Sequence, residues 1–248
     1  MIRSKSPREI RYMCDAGKVV AQMHEELAKA AKQGISTKEL DQIAEDYIIS
    51  QGAVPSFKGY RGFPASICTS VNHVVVHGIP SLDLLNNGDI ISIDIGAILN
   101  GYHGDAAKTL PIGEISEAAE KLLQVTEESL YKGIEQAVIG NRLSDISCAV
   151  QTHVENNGFS VVRDYCGHGI GRAMHEEPQI LNYGNPGHGP KLKAGYCLAI
   201  EPMVNVGTHN VSVLKDRWTV ITNDKQLSAH FEHSVAVTEE GPLILTEL

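Results

Sequence analysis

The sequence predicts a mixed α/β protein built as two similar halves, and three observations predict it. Two amphipathic helices precede a β-rich stretch, and then two more helices precede another. The second helix of each pair is framed alike, since Gly34 to Gly52 spans the same distance as Gly140 to Gly158. Finally, Leu85-x-x-Gly88-x-x-x-x-Ile93-Asp94 matches Leu192-x-x-Gly195-x-x-x-x-Ile200-Glu201, and both runs end on an acid. Self-similarity at a nearly constant offset is how an internal duplication shows in one chain. We expect a single domain over residues 1–248, with halves of about 1–113 and 114–248, and a ligand site between them.

The spacing of Ile10, Met13, Ala16, Val20, Met23 and Leu27 predicts a helix over 7–33. Pro7 suits its first turn and Gly34 its stop. Ser36 with Glu39 forms a capping-box pattern ahead of a second helix that ends at Gly52. Residues 53–64 read as an aromatic-bearing loop, and 66–71 and 74–77 as short strands. The run 89–99 is strongly β. Asn100-Gly101 is the preferred dipeptide of a two-residue hairpin, which makes 102–110 the return strand. Helices follow over 115–139 and 143–157, then a strand over 159–162, a Gly/Pro-rich loop over 184–190, and strands over 196–204, 218–222 and 227–238.

A formal charge of −9 argues against coating nucleic acid, which favours a basic face. Five cysteines (Cys14, Cys68, Cys148, Cys166, Cys197) are scattered, odd in number and without CxxC spacing. They read as free thiols of a reducing compartment. The first residues have no apolar core of a signal peptide, and no apolar run reaches the roughly 18 residues of a membrane span. A cytoplasmic protein without a membrane partner is expected.

The hairpin carries the chemistry. A two-residue turn pairs 99 with 102, 96 with 105 and 94 with 107, so Asp94 and Asp105 point to one face as diagonal neighbours, about 7–8 Å apart. Gly96 opposite Asp105 leaves room between them. Two carboxylates on one apolar face need a cation or a shared proton, unless one lies at the surface and the other is hydrogen-bonded; an Asp-Thr/Ser-Gly sequence, as in aspartic proteases, is missing. Glu201 in Ala-Ile-Glu-Pro-Met and Glu232 in His-Phe-Glu-His-Ser are further acids in apolar runs. Tyr165-Cys-Gly-His168-Gly-Ile-Gly-Arg-Ala-Met-His175-Glu-Glu-Pro178 sets two histidines among glycines, which suits close approach of backbone to a ligand. Asp94, Asp105, His168, Glu201 and Glu232 make an oxygen-rich set with one imidazole. Such a set suits Mn²⁺, Fe²⁺ or Co²⁺ better than a thiolate zinc site. Four carboxylates exceed what one ion needs, so two ions about 3.5–4 Å apart are expected. His77, at a strand end before Gly78, is placed for a cleft. His188 lies in a turn-rich loop, His24 and His153 fall in helices, and His73, His103, His209, His230 and His233 carry no independent signal. Serine-hydrolase and P-loop motifs are lacking.

The ordered set Asp94, Asp105, His168, Glu201 and Glu232, with Val-His77-Gly-Ile-Pro, Tyr-Cys-Gly-His168-Gly-Ile-Gly, Met-His175-Glu-Glu-Pro and Ile-Glu201-Pro-Met, resembles the type I methionine aminopeptidases along essentially the whole chain. The resemblance implies a pita-bread fold: two pseudo-symmetric halves with an antiparallel sheet and flanking helices around a dinuclear metal site. It implies that Asp94 chelates one metal, that Asp105 and Glu232 bridge both, and that His168 and Glu201 complete the other. A metal-bridging water or hydroxide would attack the peptide carbonyl after an N-terminal methionine, with a small second residue preferred. Glu201 would shuttle the proton, His77 would meet the scissile nitrogen and His175 the carbonyl oxygen. Phe57, Tyr60, Phe63, Cys68, Met174 and Trp218 would line the methionine pocket; Phe57, Phe63 and Met174 stand where Cys, Tyr and Phe are expected. Asn72, Val74 and Ser228 match a monovalent-cation site. The implied setting is a monomer acting on nascent polypeptides at or near the ribosome surface, without a zinc-finger tether or the helical insertion of type II enzymes. Xaa-Pro aminopeptidases and prolidases resemble the chain in the same five residues but carry a further N-terminal domain. A non-catalytic pita-bread binding module is the third reading, and such proteins typically lose ligands.

Overall fold

The structure, a computed structural model, describes residues 2–248. Among the described residues it holds four α-helices, α1 (Pro7–Ala30), α2 (Thr37–Ser50), α3 (Glu117–Glu135) and α4 (Leu143–Asn156), and one 3-10 turn at Tyr60–Gly62. The first starts on a reciprocal Ser6–Glu9 capping box with Pro7 in its first turn, and the second on the expected Ser36–Glu39 box. Helix α1 stops at Ala30 rather than residue 33. The Ala31 N–H still reaches Leu27 O, but the Gly34 N–H turns to Leu85 O at 2.8 Å and the Ile35 N–H to Lys32 O at 3.2 Å, so Gln33 and Gly34 form the turn. Helix α3 is shorter than the expected 115–139 at both ends, with Ser116 as its N-cap.

The strands are β1 (Val54–Pro55), β2 (Ile67–Val71), β3 (Val74–Val76), β4 (Ile90–Leu99), β5 (Tyr102–Pro111), β6 (Ser160–Val161), β7 (Gly167–Gly169), β8 (Glu176–Ile180), β9 (Cys197–Ile200), β10 (Met203–Asn205), β11 (Val211–Val213), β12 (Val220–Thr222), β13 (Ser228–His230), β14 (Glu232–Thr238) and β15 (Gly241–Ile244). The main sheet has nine strands. Its path runs β1-β4-β5-β14-β9-β7-β8, with β2 also on β4 and β15 on β14. Two three-stranded sheets, β13-β10-β6 and β11-β12-β3, complete the β structure. Within the main sheet β5 meets β14 antiparallel through Ala107↔Glu232 and Ala106↔His233.

Two stretches expected as single strands are each split between two sheets. The run 196–204 breaks at Glu201-Pro202, so β9 stays in the main sheet while β10 joins β6 and β13. The run 227–238 breaks at Phe231, leaving β13 with β10 and sending β14 into the main sheet. Pro202 has no N–H to continue a ladder. In both cases the chain changes sheet beside an acid, Glu201 after β9 and Glu232 at the start of β14. Strands β1, β7, β8, β11 and β15 were not expected. Strand β8 contains Pro178 and ends the sheet path, where a lost N–H does not interrupt a ladder on both sides.

Helices α1 and α2 bury Val20, Met23, Leu27, Leu40 and Ile48 against Ile91, Ile93 and Ile95 of β4. Helices α3 and α4 bury Leu130, Ile134, Leu143 and Ile146 against Leu198, Ile200, Val235 and Val237. Helix α1 lies so close to β5 that a Cβ on Gly104 would stand 2.7 Å from Gly17 N. The functional strands β4, β5, β9 and β14 are therefore backed by helices whose apolar periodicity the sequence displays, and their other face is free to carry polar groups.

Candidate active site

The hairpin forms as its turn dictates. Asn100 and Gly101 both have positive φ, 55° and 76°, the backbone of a type I′ turn. The ladder pairs Leu99 with Tyr102, Gly96 with Asp105 and Asp94 with Ala107, so Asp94 and Asp105 share a face. The space beside Gly96 is not left for a ligand between the two acids. A Cβ there would meet Phe57 Cε1 and Ser56 Cβ at 2.7 Å, so the glycine admits the Phe57 segment instead.

His168 is the middle residue of β7, which pairs with β8 on one side and β9 on the other. Its flanking glycines serve this packing rather than approach to the cleft. A Cβ on Gly167 would lie 2.3 Å from Ala199 O, and one on Gly169 would lie 2.2 Å from Glu177 O. His168 Nδ1 lies 3.0 Å from Gly169 O, so Nδ1 carries the proton and Nε2 keeps its lone pair. Nε2 stands 3.5 Å from Glu201 Oε1 and 3.9 Å from Asp105 Oδ2.

Two overlapping donor trios result: Asp105, His168 and Glu232, and Glu201, His230 and Glu232, with ligand atoms within 4.8 Å of one another in each. Asp94 Oδ1, Asp105 Oδ1 and Glu232 Oε1 are buried without any hydrogen-bond partner. Buried polar atoms are normally satisfied, and charged ones doubly so, so three orphaned carboxylate oxygens in one cluster fit a cation. Burial, followed by the charge of its neighbours, pushes the carboxyls of Asp105 and Glu232 well above the usual carboxylate range; burial does the same to Glu201. Asp94 rises to about 7, burial again leading, with His230 opposing. Desolvation lowers His168 to about 3, which keeps its imidazole neutral as a ligand must be.

Beside this cluster lies a cavity of about 140 Å³ lined by Asp94, Asp105, His168, Glu201 and Glu232, by His77 and His175, and by Phe57, Tyr60, Arg61, Phe63, Cys68, Met174 and Trp218. Thirteen expected site residues thus meet in one cavity, with Arg61 added. Phe57, Phe63, Cys68 and Met174 are buried together, with Tyr60 and Trp218 packed against them. The Phe63 and Trp218 rings meet edge-on at 5.1 Å. His175 Nδ1 lies 2.9 Å from the Tyr60 hydroxyl and its ring stacks on that tyrosine; the His168 ring lies 4.2 Å away. His77 holds a positive φ of 59°, a strained backbone for a non-glycine residue, and its ring stands edge-on to Tyr165 and Trp218. Burial lowers its imidazole to about 4.

Asn72, Val74 and Ser228 fall outside this cavity. The Ser228 N–H donates to Asn72 O at 2.9 Å, and Ser228 Oγ is buried without a partner. His24, expected to be structural, meets Ala106 O at 3.0 Å, and His153 meets Glu128 at 2.9 Å. Sequence reasoning missed His230, which joins the second donor trio. Its position two residues before Glu232 was the available signal, because alternate residues of a strand share a face; the break at Phe231 weakens that signal.

It also missed Lys5. This side chain is 3% exposed, and its Nζ lies 2.8 Å from Glu176 Oε2. Glu176 Oε1 accepts from the Ala173 N–H at 3.2 Å, so the pair pins the turn that carries Met174 and His175. Removing one partner of a buried pair leaves the other uncompensated. Lys5→Met is therefore expected to cost about 3 kcal/mol in urea unfolding, with Lys5→Arg recovering part of the loss.

Residues 11–239 match the metallopeptidase family M24, and the chain belongs to that family. Its relatives include methionine aminopeptidase 1 of Bacillus subtilis (strain 168), 62% identical over 248 residues and covering 100% of both chains. The crystal structure of methionine aminopeptidase from Rickettsia prowazekii superposes with a TM-score of 0.98 at 43% identity, covering 99% of this chain and 100% of that one. A prolidase from Pyrococcus furiosus gives a TM-score of 0.80 at 23% identity; it covers 99% of this chain but 65% of its own, a likeness of fold alone. The fold is the pita-bread fold, and the protein is a metallopeptidase.

Proposed function

We propose that this metallopeptidase removes the N-terminal methionine of peptides and nascent proteins, preferring a small second residue. The observation that carries the reading is the junction, in one cavity of about 140 Å³, of a buried carboxylate–imidazole cluster and an apolar pocket floored by aromatic rings. Asp94, Asp105, His168, Glu201 and Glu232 would hold two divalent cations of the Mn²⁺, Co²⁺ or Fe²⁺ kind. The oxygen-rich donor set and the three orphaned oxygens favour this. Such cations supply an activated water and polarise the scissile carbonyl. Asp94 would serve one ion, Asp105 and Glu232 would be shared between the two, and His168 and Glu201 would complete the set.

The remaining steps belong to side chains. Glu201 carries the proton from the nucleophile to the departing amine. His77 and His175 are kept neutral by burial, so each can offer an N–H without losing its proton. His77 meets the scissile nitrogen. His175, with Nδ1 at Tyr60, meets the carbonyl oxygen, where charge develops. Phe57, Tyr60, Phe63, Cys68, Met174 and Trp218 receive the methionine side chain, a flexible thioether that packs well on aromatic edges. Burial keeps the Cys68 thiol far above its ordinary pKa, so it lines the pocket as an uncharged group. The carbonyls of Asn72 and Val74 with the Ser228 hydroxyl would hold a monovalent cation, in keeping with the orphaned Ser228 Oγ. The catalytic unit is one domain of two duplicated halves. It works as a cytoplasmic monomer, meeting nascent chains near the ribosome. Among the described residues no helix is long and apolar enough to cross a membrane.

The test is substrate choice. The Mn²⁺- or Co²⁺-loaded protein is expected to release methionine from Met-Ala-Ser and to leave Xaa-Pro peptides intact. Cleavage before proline, with Met-Ala-Ser untouched, would move the assignment to the prolidases.

A further inference from the structure

One imidazole in the site has no assigned task. His230 ends β13, is 2% exposed, and its Nε2 makes no hydrogen bond. That atom lies 3.7 Å from Glu201 Oε2, while Glu201 Oε1 faces His168 Nε2 at 3.5 Å. The Glu201 carboxylate therefore stands between two imidazoles, one for each oxygen. The two are not equivalent. His168 Nδ1 is held by the Gly169 carbonyl and its Nε2 is a bare lone pair, the form that binds a cation.

A carboxylate that commits one oxygen to a cation leaves the other free to accept a hydrogen bond, and the donor that reaches it sets the carboxylate's rotation. Among the described residues, nothing donates a hydrogen bond to Glu201 Oε2. Ligating groups at metal sites are held by partners outside the ligand set, and those partners set orientation and affinity.

We propose that His230 is the positioning residue for Glu201: its Nε2–H donates to Oε2 once Oε1 turns to a cation, and so fixes the rotation of the carboxylate. Closing 3.7 Å to hydrogen-bond length needs a shift of under about 1 Å, within reach of a side-chain adjustment. The inference rests on the metallopeptidase reading of the same site. It adds that the orientation of Glu201 is set from outside the five expected ligands, by the strand that ends two residues before Glu232.

Two replacements separate this from bulk packing: His230→Gln keeps an N–H donor, and His230→Leu fills the space without one. Chelator-treated protein is titrated with Mn²⁺ by calorimetry, and Met-Ala-Ser turnover is followed separately. His230→Leu is expected to lose about 10- to 100-fold in Mn²⁺ affinity and to lower kcat, with KM moving less. His230→Gln should stay within about threefold of wild type on both readouts, a rescue that packing alone would not give. X-ray absorption of the fully Co²⁺-loaded wild type counts imidazoles directly and needs no variant. One coordinated imidazole per chain is expected; two would make His230 a ligand and overturn its role as a hydrogen-bond donor. Wild-type affinity and kcat in a folded His230→Leu would overturn it as well. Failure of the wild type itself to bind Mn²⁺ would strike the parent reading along with this one, and is distinguished by being visible before any substitution.

Discussion

Chelation is expected to abolish methionine release completely, and Mn²⁺ or Co²⁺ to restore it. The reason lies in the cluster itself. Four carboxyls are buried against one another, and burial holds them above the usual range, Asp94 at about 7. Without a cation they keep protons that the unfolded chain gives up above about pH 4. The metal-free folded state then binds more protons than the unfolded one, so its stability falls as pH rises from about 4 through the Asp94 value of about 7. Below about pH 4 both states are protonated and the contribution is fully present. A cation favours the ionised carboxylates, so the rise in Tm on adding Mn²⁺ should grow across the same window. Thermal melts of the metal-free and loaded protein between pH 4 and 8 measure this. A metal-induced shift that is flat with pH would contradict the picture of protonated, cation-starved acids.

His77→Ala and His175→Ala are expected to lower kcat by about a hundred- to a thousand-fold while each chain still binds its full complement of metal. Neither imidazole joins a donor trio, yet both line the cavity. Glu201→Ala differs in kind, because its carboxylate faces His168 and is also the proposed proton carrier; metal affinity and rate should fall together. Metal analysis paired with single-turnover kinetics separates the cases. Loss of metal from His77→Ala would remove the role given to that residue, and near-normal hydrolysis by Glu201→Ala would remove its own.

Much of the site was legible in the sequence because it rests on local rules. An Asn-Gly turn has one favoured geometry, and that geometry fixes every pair of the hairpin, so Asp94 and Asp105 could be placed on one face by counting. The helices were legible from apolar spacing and caps, with ends off by a few residues where turn bonds such as Gly34 to Leu85 override the pattern. What local rules could not give was the exchange of strands between sheets. The runs ending in Glu201 and containing Glu232 look continuous because their β propensity is continuous, and only tertiary pairing breaks them. His230 and Lys5 were missed for the same reason. Each matters through a partner far away in the chain, Glu201 or Glu176, and a single sequence does not display such pairings. The approach of residues near the pocket was likewise expected from the resemblance and not from spacing.

The two strand breaks have a mechanical consequence. Glu201 and Glu232 sit at the seams where the chain passes between the nine-stranded sheet and the β13-β10-β6 sheet. Ions gripped by both acids would act as a rivet through those seams. Amide hydrogen exchange in β10 and β13 should slow on loading, although neither strand belongs to the main sheet, and ion release should be timed by the seam's breathing rather than by the bonds to the ions alone.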